Sequence, residues 1–220
     1  SQKDPFTAIE ALGAGALAMV ELPAAHYAGY YEGFANSALW PALHSRLDLV
    51  RVSHEDYKSY REVNAFMART LLRFRKPDAA FWIQDYHFLA LGAELRSLGV
   101  SEPIGFFLHT PWPSATTITG VPNHRELIEA LLAYDLIGFQ TADDRHNFLD
   151  YLSTELHYAV DGDTVSSRYG MSRCAVFPIG IDADKFAAQA ARASSHPEVS
   201  RLRRSLLDGE KSAIFLGNAA

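Results

Sequence analysis

Three apolar runs in this sequence each stop on side chains that could do chemistry. The run 79–83 gives way to Gln84 and Asp85, with His87 two residues on; 104–108 ends on His109; and 135–139 ends on Gln140. Runs of this length and composition read as buried strands. Pro111 and Pro113 prevent the second from continuing as a central strand. Helical patterns separate the runs, so the expected fold is α/β, with a parallel sheet whose carboxyl edge collects these residues. If the three strands are neighbours, their ends lie about 5 to 10 Å apart, which suits one small ligand. Carboxylates and amides hydrogen-bond hydroxyl groups, and aromatic rings cover apolar faces. A carboxylate, an imidazole, an amide and the rings of Tyr31 and Trp40 therefore fit a hydroxyl-rich sugar. Each residue alone also has an ordinary reading. His109 fits a histidine bonded to backbone, Asp85 a turn cap and His87 a support for the turn. Asp143, Asp144 and Arg145 read as a solvated first-turn helix face.

The elements that must hold these residues can be followed along the chain. Residues 6–14, rich in alanine and leucine, carry no decisive pattern, and 15–22 forms a strand that stops at Pro23. A helix is expected over 26–39 with Tyr27, Tyr30, Tyr31 and Phe34 on one face; Tyr30 and Phe34 belong to the core. A long helix over 55–73 opens at Ser53 with Asp56 three residues on, carries Tyr60, Val63, Met67 and Leu71 as its apolar stripe, and ends at Pro77. Phe88, Leu91, Leu95 and Leu98 mark a further helix closed by Gly99. The polar stretch 114–122 reads as a mobile loop beside the site. Asn123 with Glu126, and then Thr141, cap two more helices. A hairpin is expected around Tyr169-Gly170, followed by a short strand over 175–181 broken by Pro178 and Gly180. A helix from Ala183, a charged helix over 198–207 and a new strand over 212–217 complete the chain.

Composition narrows the classes. The 220 residues are 48% apolar and 21% charged, with net charge −6, no basic block and nine histidines. Nucleic-acid binding is disfavoured. No apolar stretch is long enough to span a bilayer, so no membrane partner is expected. One cysteine, Cys174, excludes an intrachain disulfide and fits a cytoplasmic protein. No histidine or cysteine pair has metal-ligand spacing, and no dinucleotide fingerprint, P-loop or nucleophile elbow occurs. The residues by themselves lead to a polar-ligand site on a parallel sheet.

The blocks Tyr30-Tyr-Glu-Gly-Phe-Ala-Asn-Ser-Ala-Leu-Trp-Pro41, Trp82-Ile-Gln-Asp-Tyr-His87, Gly105-Phe-Phe-Leu-His-Thr-Pro-Trp-Pro113, Asp135-Leu-Ile-Gly-Phe-Gln-Thr141 and Phe177-Pro-Ile-Gly-Ile181 resemble, in order, those of the trehalose-6-phosphate synthase family. The resemblance implies a Rossmann-like domain, the N-terminal half of a GT-B glycosyltransferase that needs no metal or other cofactor. It implies transfer of glucose from UDP-glucose to glucose 6-phosphate with retained anomeric configuration. Tyr31, Trp40, Asp85 and, more weakly, Gln140 take the acceptor side. His109 contacts the donor glucose beside the reacting carbon, and Asp85 lies near that centre. Gln84 stands where many relatives have histidine. Residues 1–14 match neither the family's first strand nor its glycine-rich loop, and the Arg…Lys motif that grips the donor diphosphate is absent. The expected domains are therefore an acceptor-side domain over 1–210 and, over 211–220, the first strand of a nucleotide-sugar domain. On this reading the chain alone is an inactive fragment with small-molecule partners, and a homo-oligomer is compatible with it. A synthase with another acceptor, such as one making glucosylglycerol phosphate or a pseudo-glycosidic product, keeps the same blocks. A non-catalytic sugar-phosphate-binding domain is the alternative from another class.

Overall fold

The computed structural model describes residues 6–13 and 15–207. Its centre is a six-stranded sheet of order β3-β4-β5-β8-β7-β6, built from β3 (Phe81–Gln84), β4 (Ile104–Phe107), β5 (Leu136–Phe139), β6 (Val160–Asp161), β7 (Thr164–Ser167) and β8 (Gly170–Val176). The first four strands in that order run parallel, as the three apolar runs require. β7 and β6 add an antiparallel end, so the sheet is mixed rather than purely parallel. The hairpin at Tyr169-Gly170 is present, with Gly170 at φ 115°.

The short strand expected over 175–181 is instead the end of β8, which stops at Val176. Pro178 lacks the N–H a further rung would need. Ahead of the sheet lies β1 (Phe6–Leu12), paired antiparallel with β2 (Gly15–Val20), with Gly13 after it at φ 58°. Alanine has little strand preference, which hid β1 from the sequence.

Side-chain alternation divides the large sheet into unequal faces. Phe81, Ile83, Ile104, Phe106, Ile137, Phe139 and Cys174 form a buried face within the core, and the helices over 54–71, 91–97, 124–131 and 142–154 contribute to the same core. On the other face Trp82, Gly105, Leu136 and Arg173 share one row, and Trp82 is 76% exposed.

The aromatic segment forms a continuous helix over 24–43, but its middle, Ala28–Leu39, is widened to i→i+5 bonding. That widening separates the expected single aromatic face into two. Tyr30 and Phe34 enter the core, whereas Tyr27 and Tyr31 stack on each other outside it at 5.1 Å. Gly33 lets this helix meet the long helix His54–Leu71, because a Cβ there would lie 2.5 Å from the Asp56 carboxyl carbon. Ser53 caps the long helix, accepting from the Asp56 amide at 3.3 Å. Helix Leu91–Ser97 ends as expected, with Gly99 at φ 80° and the Val100 amide donating to the Leu95 carbonyl.

Three local expectations are overturned. The stretch 114–122 is not a loose loop: Ala115–Ile118 is a helical turn, and Ile118 and Val121 are buried. Asn123 sits at the start of helix His124–Leu131 in the left-handed region, φ 61°, and makes no side-chain cap bond, while Glu126 bonds to Tyr57 and Arg61. Asp144 is buried rather than solvated.

Among the described residues, those up to Pro178 form one compact unit and those from Ile179 a second. In the second, Asp182 accepts from the Lys185 amide and opens helix Ala183–Ala193, and helix Pro197–Leu207 follows. The strand expected over 212–217, and with it the domain boundary at 211, lies outside the described residues.

Candidate active site at the carboxyl edge of the sheet

Parallel pairing in register puts the ends of β3, β4 and β5 side by side, and Gln84, Asp85, His109 and Gln140 follow from them on one edge. Asp85 and His109 are joined directly: Asp85 Oδ1 accepts from the His109 amide at 3.3 Å and from the Tyr86 amide at 3.0 Å. Among the described residues Asp85 Oδ2 carries no hydrogen bond. The Asp85 amide in turn donates to the Phe107 carbonyl at 2.8 Å. Asp85 reaches this position at φ 71°, ψ 168°, a region nearly reserved for glycine.

What holds that conformation is the turn that follows. The Tyr60 hydroxyl donates to the Tyr86 carbonyl at 2.7 Å and accepts from the Leu89 amide, Asn64 donates to the His87 carbonyl, and the Tyr134 hydroxyl donates to the Phe88 carbonyl at 2.6 Å. Burial pushes the Tyr60 and Tyr134 hydroxyls far above their ordinary range. The Tyr86 hydroxyl, raised to about 12 by burial and then by the charge of Asp85, donates to Asn36 Oδ1 at 2.7 Å. All three remain protonated donors at neutral pH. Tyr60 thus does more than fill the apolar stripe of its helix, and Asn64 and Tyr134 join it as supports of the turn. The signal was a tyrosine hydroxyl at a core position, which requires a partner.

His109 is exposed, and its ring packs edge-on against Phe107 at 4.8 Å. The loop after it is fixed from helix Ala142–Thr154. Asp144 accepts from the Trp112 amide at 2.8 Å while completing a capping box with Thr141, and Asn147 donates to the Trp112 carbonyl at 3.1 Å. The spacing Thr141-x-x-Asp144 carried that signal.

Tyr31 joins the edge through His87, whose ring stacks on it at 5.3 Å and 10° and on Tyr86 at 4.1 Å. His87 does support the turn, and burial lowers its pKa, so it is neutral at pH 7. Trp40 lies nine residues beyond Tyr31 on the same helix, 42% exposed, with its ring against His44 at 4.1 Å. The structure thus brings Asp85 and His109 into contact and Tyr31 beside them through His87. Gln140 shares their edge, and Trp40 sits further along the aromatic helix. No group of three metal-binding side chains occurs among the described residues. The site offers a carboxylate oxygen, an imidazole and flat aromatic surface, a set that binds and orients hydroxyl groups.

The model of glycosyltransferase family 20 matches residues 8–217. The chain belongs to glycosyltransferase family 20. Family 20 proteins similar to it include the trehalose-6-phosphate synthases of Cronobacter sakazakii, 42% identical over 80% of this chain and 37% of that protein, and of Sinorhizobium fredii, 39% identical over 86% and 40%. Among solved family structures, the α,α-trehalose-phosphate synthase (UDP-forming) of Burkholderia xenovorans in complex with glucose-6-phosphate superposes with a TM-score of 0.84. It is 37% identical, over 90% of this chain and 44% of that one. The E. coli protein bound with UDP-2-fluoro glucose is also 37% identical, with a TM-score of 0.83 over 94% and 46%. The chain spans about two-fifths of the length of these curated relatives. Its fold is the α/β half expected of a GT-B glycosyltransferase.

Proposed function

We propose that this chain carries the acceptor side of a synthase that moves glucose from UDP-glucose to glucose 6-phosphate with retention, giving α,α-trehalose 6-phosphate. The observation that carries the reading is the direct tie between Asp85 and His109 at the sheet edge, in which the Asp85 carboxylate accepts from the main-chain amide of the residue that bears the imidazole. Asp85 Oδ2 takes acceptor hydroxyls, Tyr31 and Trp40 line the acceptor pocket, and Gln140 adds an amide. His109 faces the donor glucose. The acceptor hydroxyl attacks on the side from which UDP leaves, and the departing phosphate takes its proton. No protein nucleophile is required, so the protein's contribution is positioning and stabilisation of developing charge. On this reading the reaction uses no metal and no further cofactor, and the enzyme works in the cytoplasm, where the Cys174 thiol, raised to about 12 by burial, stays reduced.

The test is turnover by the protein carried to the family's full length, with UDP-glucose and a panel of sugar acceptors. Glucose 6-phosphate is expected to be the preferred acceptor. His109→Ala is expected to lower kcat by about 10²-fold or more with little change in the acceptor KM. Preference for another acceptor, or an unchanged kcat in His109→Ala, overturns the assignment.

A further inference from the structure

The second residue that grips His109 is Gln84, to which the reading above gives no part. In β3 and β4, Gln84 and Phe107 are register partners, so their side chains project from the same face of the sheet. His109 follows Phe107 by two residues and returns to that face. Its imidazole Nε2 lies 2.9 Å from Gln84 Oε1, and its ring rests edge-on against Phe107. An amide oxygen can only accept, so the ring nitrogen facing it carries the proton, and in the neutral imidazole the lone pair is then on Nδ1. The backbone end of the same residue is held by the Asp85 carboxylate. Gln84, the last residue of β3, and Asp85, the first beyond it, thus restrain the ring and the main chain of the first residue beyond the next strand's apolar run.

We propose that Gln84 is a positioning residue that fixes the ring orientation and tautomer of His109, leaving Nδ1 as the nitrogen turned to substrate. A neutral amide suits this task. A carboxylate in its place would hold the ring equally well but would favour the imidazolium, and an apolar side chain would leave the ring free to turn. The consequence for turnover rests on the function proposed above; the hold on the ring does not.

Nitrogen-15 NMR of histidine in the 220-residue chain tests it, with His109→Gln identifying the resonance. Wild type is expected to show a single neutral tautomer protonated at Nε2. Gln84→Leu is expected to show averaged Nδ1 and Nε2 shifts, and Gln84→Glu to restore Nε2 protonation, with all three chains melting alike. A wild-type ring protonated at Nδ1, or an unchanged tautomer in Gln84→Leu, overturns the proposal. At the family's full length, Gln84→Leu is expected to lower kcat about 10- to 100-fold with the acceptor KM retained. An unaltered kcat alongside a freed ring overturns the positioning role, whereas a wild-type protein that transfers no glucose overturns the function while the tautomer result stands.

Discussion

Asp85 keeps a backbone conformation that side chains ordinarily avoid, and its neighbours supply the reason it can. Strain of this kind costs about 1–3 kcal/mol and persists where surrounding bonds over-determine it. Here those bonds come from Tyr60, Asn64, Tyr134 and the Asp85 carboxylate itself. Asp85→Gly relieves the strain and loses the carboxylate, whereas Asp85→Ala loses the carboxylate and keeps the strain. Thermal melting is expected to place Asp85→Gly above Asp85→Ala, and the reverse order would contradict the backbone account. His87 adds a pH term of definite sign. Its folded pKa is depressed by burial, partly offset by Asp85, below the ordinary 6.5. Its contribution to stability is therefore complete above about pH 6.5 and is lost as pH falls through the folded value. Urea midpoints at pH 7.5 and 5.0 are expected to differ less in His87→Gln than in wild type; equal differences would remove His87 from the acid response. At this scale the sequence exposed Asp85 and His109 because both end apolar runs. Gln84 was not legible as their companion. Its role depends on the register between two strands, which neither strand encodes alone.

At the scale of elements, the site rests on helices that reach into the turn after β3. The long helix His54–Leu71 sends Tyr60 and Asn64 there, and Tyr134 arrives from the segment before β5. Tyr60→Phe keeps the ring in the core and leaves the Tyr86 carbonyl and Leu89 amide without this partner. A loss of about 1–3 kcal/mol is expected in chemical denaturation; a stability equal to wild type would mean the turn is held without it. The long helix, its Ser53 cap and the three parallel strands were legible because period, cap and flanking breaks agree. The aromatic helix was legible only in part. Four aromatics spaced three and four apart give one face in an α-helix, and the widened Ala28–Leu39 segment divides them into a core pair and a surface pair. Asp144 was misjudged because a charged residue in a first helical turn is ordinarily solvated, and only the packed loop at Trp112 supplies its buried donor.

Over the whole molecule, the carboxyl edge of a half-buried sheet gathers side chains that suit a hydroxyl-rich ligand, in a chain about two-fifths the length of its curated relatives. The fold class was legible from three strand-like runs and the helices between them. The antiparallel end of the sheet was not, since a hairpin's sequence does not say which strand it will join. The proposed division of labour assigns acceptor contacts to Asp85, Tyr31 and Trp40, and these are present in this chain whatever supplies the donor diphosphate site. Calorimetric titration of glucose 6-phosphate into the 220-residue chain tests that claim most directly. Saturable binding is expected, weakened at least about tenfold by Asp85→Asn, which removes one charged acceptor. His109→Ala is expected to leave acceptor binding nearly unchanged. No measurable binding to the wild-type chain, or binding indifferent to Asp85, would contradict the acceptor site placed at this edge.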